Sequence, residues 1–201
     1  MRKVERACAF TGHRPRKFPW GYDELDARCV SLKSALTEQI EQLARNGVTQ
    51  FLSGMAEGVD TWAALAVLAL RGKNDALKLH CILPCREQAE QWSAPAQEMY
   101  RSILEQADSV VYVNRDYRKD CMLERNRFLV EHSDILLAVY NGERRGGTAA
   151  TIRYARKAGR EVWIMDPETH LVTREEGICQ TAGKSPPTRK REVPFRPGSM
   201  L

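Results

Sequence analysis

The sequence has no apolar run long enough to cross a bilayer. Its longest nearly uncharged stretch, residues 58–70, is too short and still contains Asp60. The opening MRKVERACAF has a basic start but lacks the apolar segment of a secretory signal before Thr11-Gly12-His13-Arg14 interrupts it. A cytoplasmic protein without membrane contact is therefore expected. Cysteine is sparse and scattered, six residues in all, and only Cys81 and Cys85 lie close together. Their spacing falls in a strand-like stretch with no second Cys or His pair at zinc-binding spacing, which predicts buried, reduced thiols and no metal site. The dinucleotide fingerprint G-x-G-x-x-G is also missing. Gly183-Lys184-Ser185 does not make a P-loop, because Gly177 lies one residue too far upstream and Pro186-Pro187 stands where a helix would begin. An ordinary NAD dehydrogenase and a P-loop nucleotidase are both excluded.

What is present is a chain of 201 residues, 43% of them hydrophobic, with 13 Gly and 9 Pro. That suits one globular domain with a tail, burying roughly 70% of its unfolded surface without disulfides or a structural metal. The formal net charge is +5. From Lys184 onward, Lys184, Arg189, Lys190, Arg191 and Arg196 oppose only Glu192, so most of the excess sits in a Pro-rich end and the body is nearly neutral. A nucleic-acid partner is therefore disfavoured for the body, since such binding needs many phosphate contacts, and is left to the basic tail.

Hydrophobic periodicity alternates along the chain. Val4–Phe10 reads as a strand, followed by a helix over 24–45 with Leu25, Val30, Leu32, Leu36, Ile40 and Leu43 at near-helical spacing and a stop at Asn46-Gly47. Val48–Ser53 is a second strand, and Val59–Leu70, apolar nearly all round, a buried helix. Strands over 77–83, 109–113, 134–140 and 161–165 alternate with helical pieces over 86–106, interrupted by Pro95, and helices over 119–132 and 148–158. Short apolar strands alternating with helices predict an α/β, Rossmann-like fold, a mainly parallel sheet with helices on both faces. The domain is expected to span 1–167, with 168–201 an extension that is disordered from about 184.

In such a sheet, ligands bind beyond the carboxyl ends of the strands, where helix N-termini present unpaired N–H groups. Three segments take that position: Thr11-Gly12-His13-Arg14-Pro15, Ser53-Gly54-Met55-Ala56-Glu57-Gly58-Val59-Asp60, and Gly146-Gly147-Thr148. Glycines there let backbone approach a ligand and are also what a tight turn needs, so each loop alone is weak. Together they suggest a phosphate-bearing ligand.

Taken in order, TGHRP, SGMAEGVDTWAA, ERNRFLVEHSDILLAVY and GGTAATIRYARKAG resemble the YpsA-like branch of the SLOG superfamily, over about residues 4–166. That superfamily takes its name from the DNA-processing protein DprA and the LOG phosphoribohydrolases. The resemblance implies a Rossmann-like domain that binds or senses a nucleotide or nucleotide-derived ligand, a nucleoside phosphate or an ADP-ribose-like molecule, with no other cofactor expected. It matches Gly146, Gly147 and Thr148 to a phosphate loop, Thr148 serving there or as a helix N-cap. Ser53, Gly54, Glu57, Gly58 and Asp60 form the second loop; Glu57 could hold ribose hydroxyls or act as an acid or base, and Asp60 could cap its helix or contact ligand. Gly12, His13 and Arg14 supply the first loop, and Arg125 with Asn126 could face the same crevice, the bland reading of either arginine being a solvated salt bridge. LOG hydrolases carry G-G-x-G-T-x-x-E, whereas Gly147-Thr148-Ala149-Ala150 is followed here by Thr151, so the expected carboxylate is absent. An N-glycosidic hydrolase using Glu57 is the alternative, single-strand DNA binding like DprA's the second, and homo-oligomers are left open.

Overall fold

A computed structural model describes residues 5–177. The alternation of apolar runs and amphipathic segments resolves into seven strands and five α-helices. β1 (Arg6–Gly12) leads through a short 3-10 turn, Pro15–Lys17, to α1 (Ala27–Arg45); β2 (Val48–Ser53) is followed by α2 (Val59–Arg71). β3 (Lys78–Leu83) and α3 (Ala94–Gln106), β4 (Ser109–Tyr112) and α4 (Cys121–Glu131), and β5 (Ile135–Val139) and α5 (Gly147–Lys157) repeat the unit, before β6 (Glu161–Met165) and β7 (Val172–Glu175) close the sheet. The strand order is β4-β3-β2-β1-β5-β6-β7, parallel throughout except for the β6–β7 pair. The chain winds outward in one direction from β1 and then returns to β1's other side with β5, so the switch in winding lies between these two strands.

Helices cover both faces. Phe10, Phe51, Leu79 and Leu137 pack with Leu32, Leu36, Ile40 and Leu43 of α1, with Trp62 and Val67 of α2 and with Ile103 of α3. Ala9, Leu52, Ile82 and Leu136 meet Leu129 and Val130 of α4 and Ile152 and Ala155 of α5 on the other face. β5, all five residues buried, is the apolar run that reads as the most strand-like. Cys81 and Cys85 are both fully buried thiols, pushed up to about 12 and about 11 by desolvation.

Three local expectations change. The first helix begins at Ala27, capped by the Asp26 carboxylate on the Arg28 amide, so Leu25 lies outside it, 90% exposed, and Val30 faces solvent. Pro95 does not interrupt a helix; it stands in the first turn of α3, behind the Ser93 cap, where its missing N–H costs nothing. The fold also does not stop at 167. An Asx-type turn at Asp166, whose carboxylate accepts the Glu168 and Thr169 amides, reverses the chain into β7. β7 is held to β6 by its ladder, by the Arg156–Glu175 ion pair at 2.6 Å and by Arg174 stacked 3.8 Å over Trp163. The expected disorder from residue 184 lies outside the described residues.

A chain ended at residue 167 should therefore melt several degrees below the full chain, because the β6 edge and Trp163 lose their cover. Differential scanning fluorimetry of the two chains reads this directly, and equal melting temperatures would refute β7 as an integral strand.

Candidate functional site

At the carboxyl ends of β1 and β5 the register brings Gly12 beside Val139, so the loops that follow these strands run side by side. Three contacts clasp them: the Thr148 hydroxyl donates to the Gly12 carbonyl at 3.0 Å, His13 Nε2 lies 2.8 Å from Asn141 Oδ1, and Lys17 pairs with Glu143 at 3.0 Å. Glycine at position 12 is required for the close approach, since a Cβ there would fall 2.4 Å from that of Val59. Between the loops and the starts of α2 and α4 lies a cleft of about 240 Å³.

Helix α5 opens onto this cleft. Its N-cap, Gly146, has φ 112°, a conformation that favours glycine, and no side chain caps the helix. The first-turn amides thus lack a side-chain acceptor, and Gly147 and Thr148 line the cleft. Thr148 is not the N-cap; its hydroxyl is committed to Gly12.

The other two helix starts are occupied differently. The first loop runs into a 3-10 turn, and α1 begins only after Asp26 has capped it. At α2, the Cβ position of the Gly58 N-cap is hemmed in by the His13 carbonyl and Pro15, and Asp60 places a carboxylate in the first turn. Asp60 neither caps the helix conventionally nor stands free: one oxygen accepts the Ala56 amide at 3.3 Å and lies 3.6 Å from Arg125 Nη1. Both partners are buried, with side chains 8% and 5% exposed. Burial raises the Asp60 carboxyl above its ordinary range and lowers Arg125, each opposed by the charge of its partner. Arg125 also donates to the Gly54 carbonyl, and a Cβ on Gly54 would collide with its guanidinium. Its Nε is buried without a hydrogen-bond partner. The salt bridge that was the bland reading of Arg125 is present, but buried rather than solvated.

Of the residues singled out from sequence, Gly12, His13, Arg14, Asp60, Arg125, Asn126, Gly146, Gly147 and Thr148 line the cleft. Ser53, Gly54, Glu57 and Gly58 do not. Ser53 is buried beneath it, its hydroxyl donating to the Asp60 carbonyl and accepting the Met55 amide. Glu57 lies half-buried to one side; burial raises its carboxyl, the Arg14 charge pulls it back, Glu24 adds to the rise and Tyr22 opposes it. Thr151 hydrogen-bonds back to the Gly147 carbonyl within α5. Sequence reading missed Arg16, Lys17, Glu143 and Arg145 on the cleft wall. Proximity to Arg14 in one loop and to Gly146 in the other was the available signal. Arg14, Arg16 and Arg145 have no ion-pair partner among the described residues.

Two outcomes follow. Replacing Arg125 by Met should cost about 3–5 kcal/mol in chemical denaturation, since Asp60 is left charged and buried, and adding Asp60→Asn should restore much of it. Additive losses would refute the coupling. Glu57 tests the pH dependence: with a folded pKa above the unfolded 4.5, the folded state binds more protons in that window, so stability falls as pH rises through it. Glu57→Gln should accordingly raise the melting temperature at pH 7 and change it little at pH 4.

Comparison with known proteins places these features in a family. The chain is 33% identical over 153 residues to a UPF0398 protein of Bacillus pumilus, covering 75% of this chain and 81% of that one. It is 32% identical over 157 residues to a UPF0398 protein of Bacillus cereus, covering 77% and 84%. In fold it is similar to DNA processing protein A from Helicobacter pylori, described for its single-stranded DNA binding mode, with TM-score 0.53 and 21% identity. That match covers 79% of this chain and 64%, less than two thirds, of the other. Among the described residues no helix is long and apolar enough to cross a membrane. The YpsA profile, described as the YspA SLOG family, matches residues 8–169, and the chain belongs to that family.

Proposed function

We propose that the protein binds a nucleotide or nucleotide-derived ligand, a nucleoside phosphate or an ADP-ribose-like molecule, with its phosphate in the cleft between the β1 and β5 loops. The observation that carries this reading is the uncapped N-terminus of α5, lining the cleft together with Arg14, Arg16 and Arg145. Backbone N–H groups and a helix dipole favour an anion there, and guanidiniums give it charge-assisted hydrogen bonds. Arg125 also lines the cleft, its guanidinium held by Asp60 and the Gly54 carbonyl.

The reading is of binding or sensing rather than turnover. Thr151 stands where a LOG hydrolase has its Glu, and its hydroxyl is spent on the helix backbone. Glu57, the substitute weighed from sequence, does not line the cleft, and Asp60, which does, faces Arg125. Single-strand DNA binding is the weaker reading. Among the described residues no Phe, Tyr or Trp lines the cleft to stack a base, and stacking platforms carry most sequence-tolerant strand binding.

The test is a thermal-shift panel of nucleosides, nucleoside phosphates, ADP-ribose and a short oligonucleotide. A phosphorylated nucleoside at 100-fold excess over Kd should stabilise the protein by about 2.7 kcal/mol, and the parent nucleoside should not. Gly147→Asp should abolish the shift without loss of fold, because a Cβ at 147 meets nothing within 4 Å and an acid in the first turn suits the helix. No shift with any phosphorylated ligand overturns the proposal. Release of free base from AMP or ADP-ribose at rates near the ~10 s⁻¹ median of enzymes would replace sensing by hydrolysis.

A further inference from the structure

Resting on the reading just given, we infer that the ligand carries two or more linked phosphoryl groups, a nucleoside di- or triphosphate, recognised by its phosphates rather than its base. Arg2 and Lys3 contribute two positive charges before the described residues, and the segment after residue 177 a net four, so residues 5–177 carry a net charge of −1. Within that slightly acidic body, the cleft collects Arg14, Arg16, Lys17, Arg125 and Arg145 against only Asp60 and Glu143. Asp60 is matched by Arg125, and Glu143 by Lys17. What is left is the three guanidiniums of Arg14, Arg16 and Arg145 and the partial positive charge of about +0.5 at the start of α5.

A phosphomonoester brings about −1.5 to −2 at neutral pH, and each further phosphoryl group about one more. A single phosphate would leave more than one positive charge unmatched, even allowing for the longer-range field that Glu57 and Asp60 share with Arg14. Three like charges converging on one small cleft raise its positive potential and favour an anion of comparable charge between them. A di- or triphosphate supplies it.

Size and lining point the same way. Pockets that enclose a whole drug-sized ligand measure about 300–1,000 Å³, and this cleft, at about 240 Å³, is smaller. It can take the phosphate end of a nucleotide and leaves the base at its mouth. Among the described residues Met122 is the one large apolar side chain in the lining, and no Phe, Tyr or Trp ring offers a stacking face. Arg16 and Arg145 come from different loops, which follow β1 and β5, so they can grip different phosphoryl groups of one chain while the α5 N-terminus holds another.

The experiment is calorimetric titration of the full chain with AMP, ADP and ATP at low ionic strength and without divalent cations, which would otherwise neutralise the phosphates. Affinity should rise from AMP to ATP by about tenfold, and inorganic tripolyphosphate should displace AMP where inorganic phosphate at the same concentration does not. In the double variant Arg16→Gln, Arg145→Gln, the ATP-to-AMP affinity ratio should fall below about threefold. Equal affinity for AMP and ATP, or a ratio that survives the double substitution, overturns this inference and leaves nucleotide binding standing. Failure of all three nucleotides to bind overturns both.

Discussion

The buried pair of Asp60 and Arg125 is the constraint on which the cleft is built. Asp60 belongs to α2, which packs on one face of the sheet, and Arg125 to α4, which packs on the other, so their contact reaches around the carboxyl ends of the strands. Stripping water from two charges is costly, and the pair is tolerable only because each partner has further hydrogen bonds. Asp60 receives the Ala56 amide, Arg125 gives to the Gly54 carbonyl, and Ser53 ties the Asp60 backbone to the turn. This also explains a piece of sequence. Gly54 matters for its missing side chain, because the guanidinium lies where a Cβ would be, and it has no part in lining the cleft.

The same pair decides which helix terminus is free. Two of the three loops that look alike in sequence, each a glycine cluster before a helix, differ in what fills the helix start. In α2 the protein supplies its own anion, Asp60, and the N-terminus is electrostatically satisfied. In α5 the first turn, Gly147-Thr148-Ala149-Ala150, has no acidic residue, and Gly146 offers no cap. A fixed carboxylate in one helix start and none in the neighbouring one focuses positive potential on one wall of the cleft, which Arg16 and Arg145 extend.

The sheet was legible because apolar runs such as FLS, HCIL and ILLAV must be buried on both faces, and only a parallel, doubly covered sheet does that. β7 was not. Its residues, VTRE, are half exposed, and what holds them is an antiparallel edge pairing and the Arg174–Trp163 stack, neither of which leaves a periodic apolar signature. Within the site, glycine loops gave the location and left roles unassigned. Glu57 and Asp60 are three residues apart, yet only Asp60, at the start of α2 and paired with Arg125, lines the cleft. Arg16 and Arg145 carry no mark in the sequence, since nothing in a single sequence shows that two distant loops converge.

Convergence also divides the cleft into a rigid part and an adjustable one. Its floor is fixed by one buried contact, the Asp60–Arg125 pair, and two part-buried ones, the Thr148 bond to Gly12 and the His13 contact with Asn141. Its rim is made of long side chains in solvent, each carrying about 2 kcal/mol of rotamer entropy, and Arg14, Arg16 and Arg145 are all exposed. Ordering a guanidinium on a ligand consumes some of that entropy, whereas the α5 amides lose none because the helix has already ordered them. On the proposed reading, a phosphoryl group held by the backbone is therefore the one bound with least entropic loss. Lys17 sits between the two regimes, because an anion at the rim competes with Glu143 for its ammonium, and the net gain from that lysine is smaller than its charge implies. On the proposed reading, discrimination among anions thus rests on the unpaired arginines, and the placement of the cleft on the buried pair beneath them.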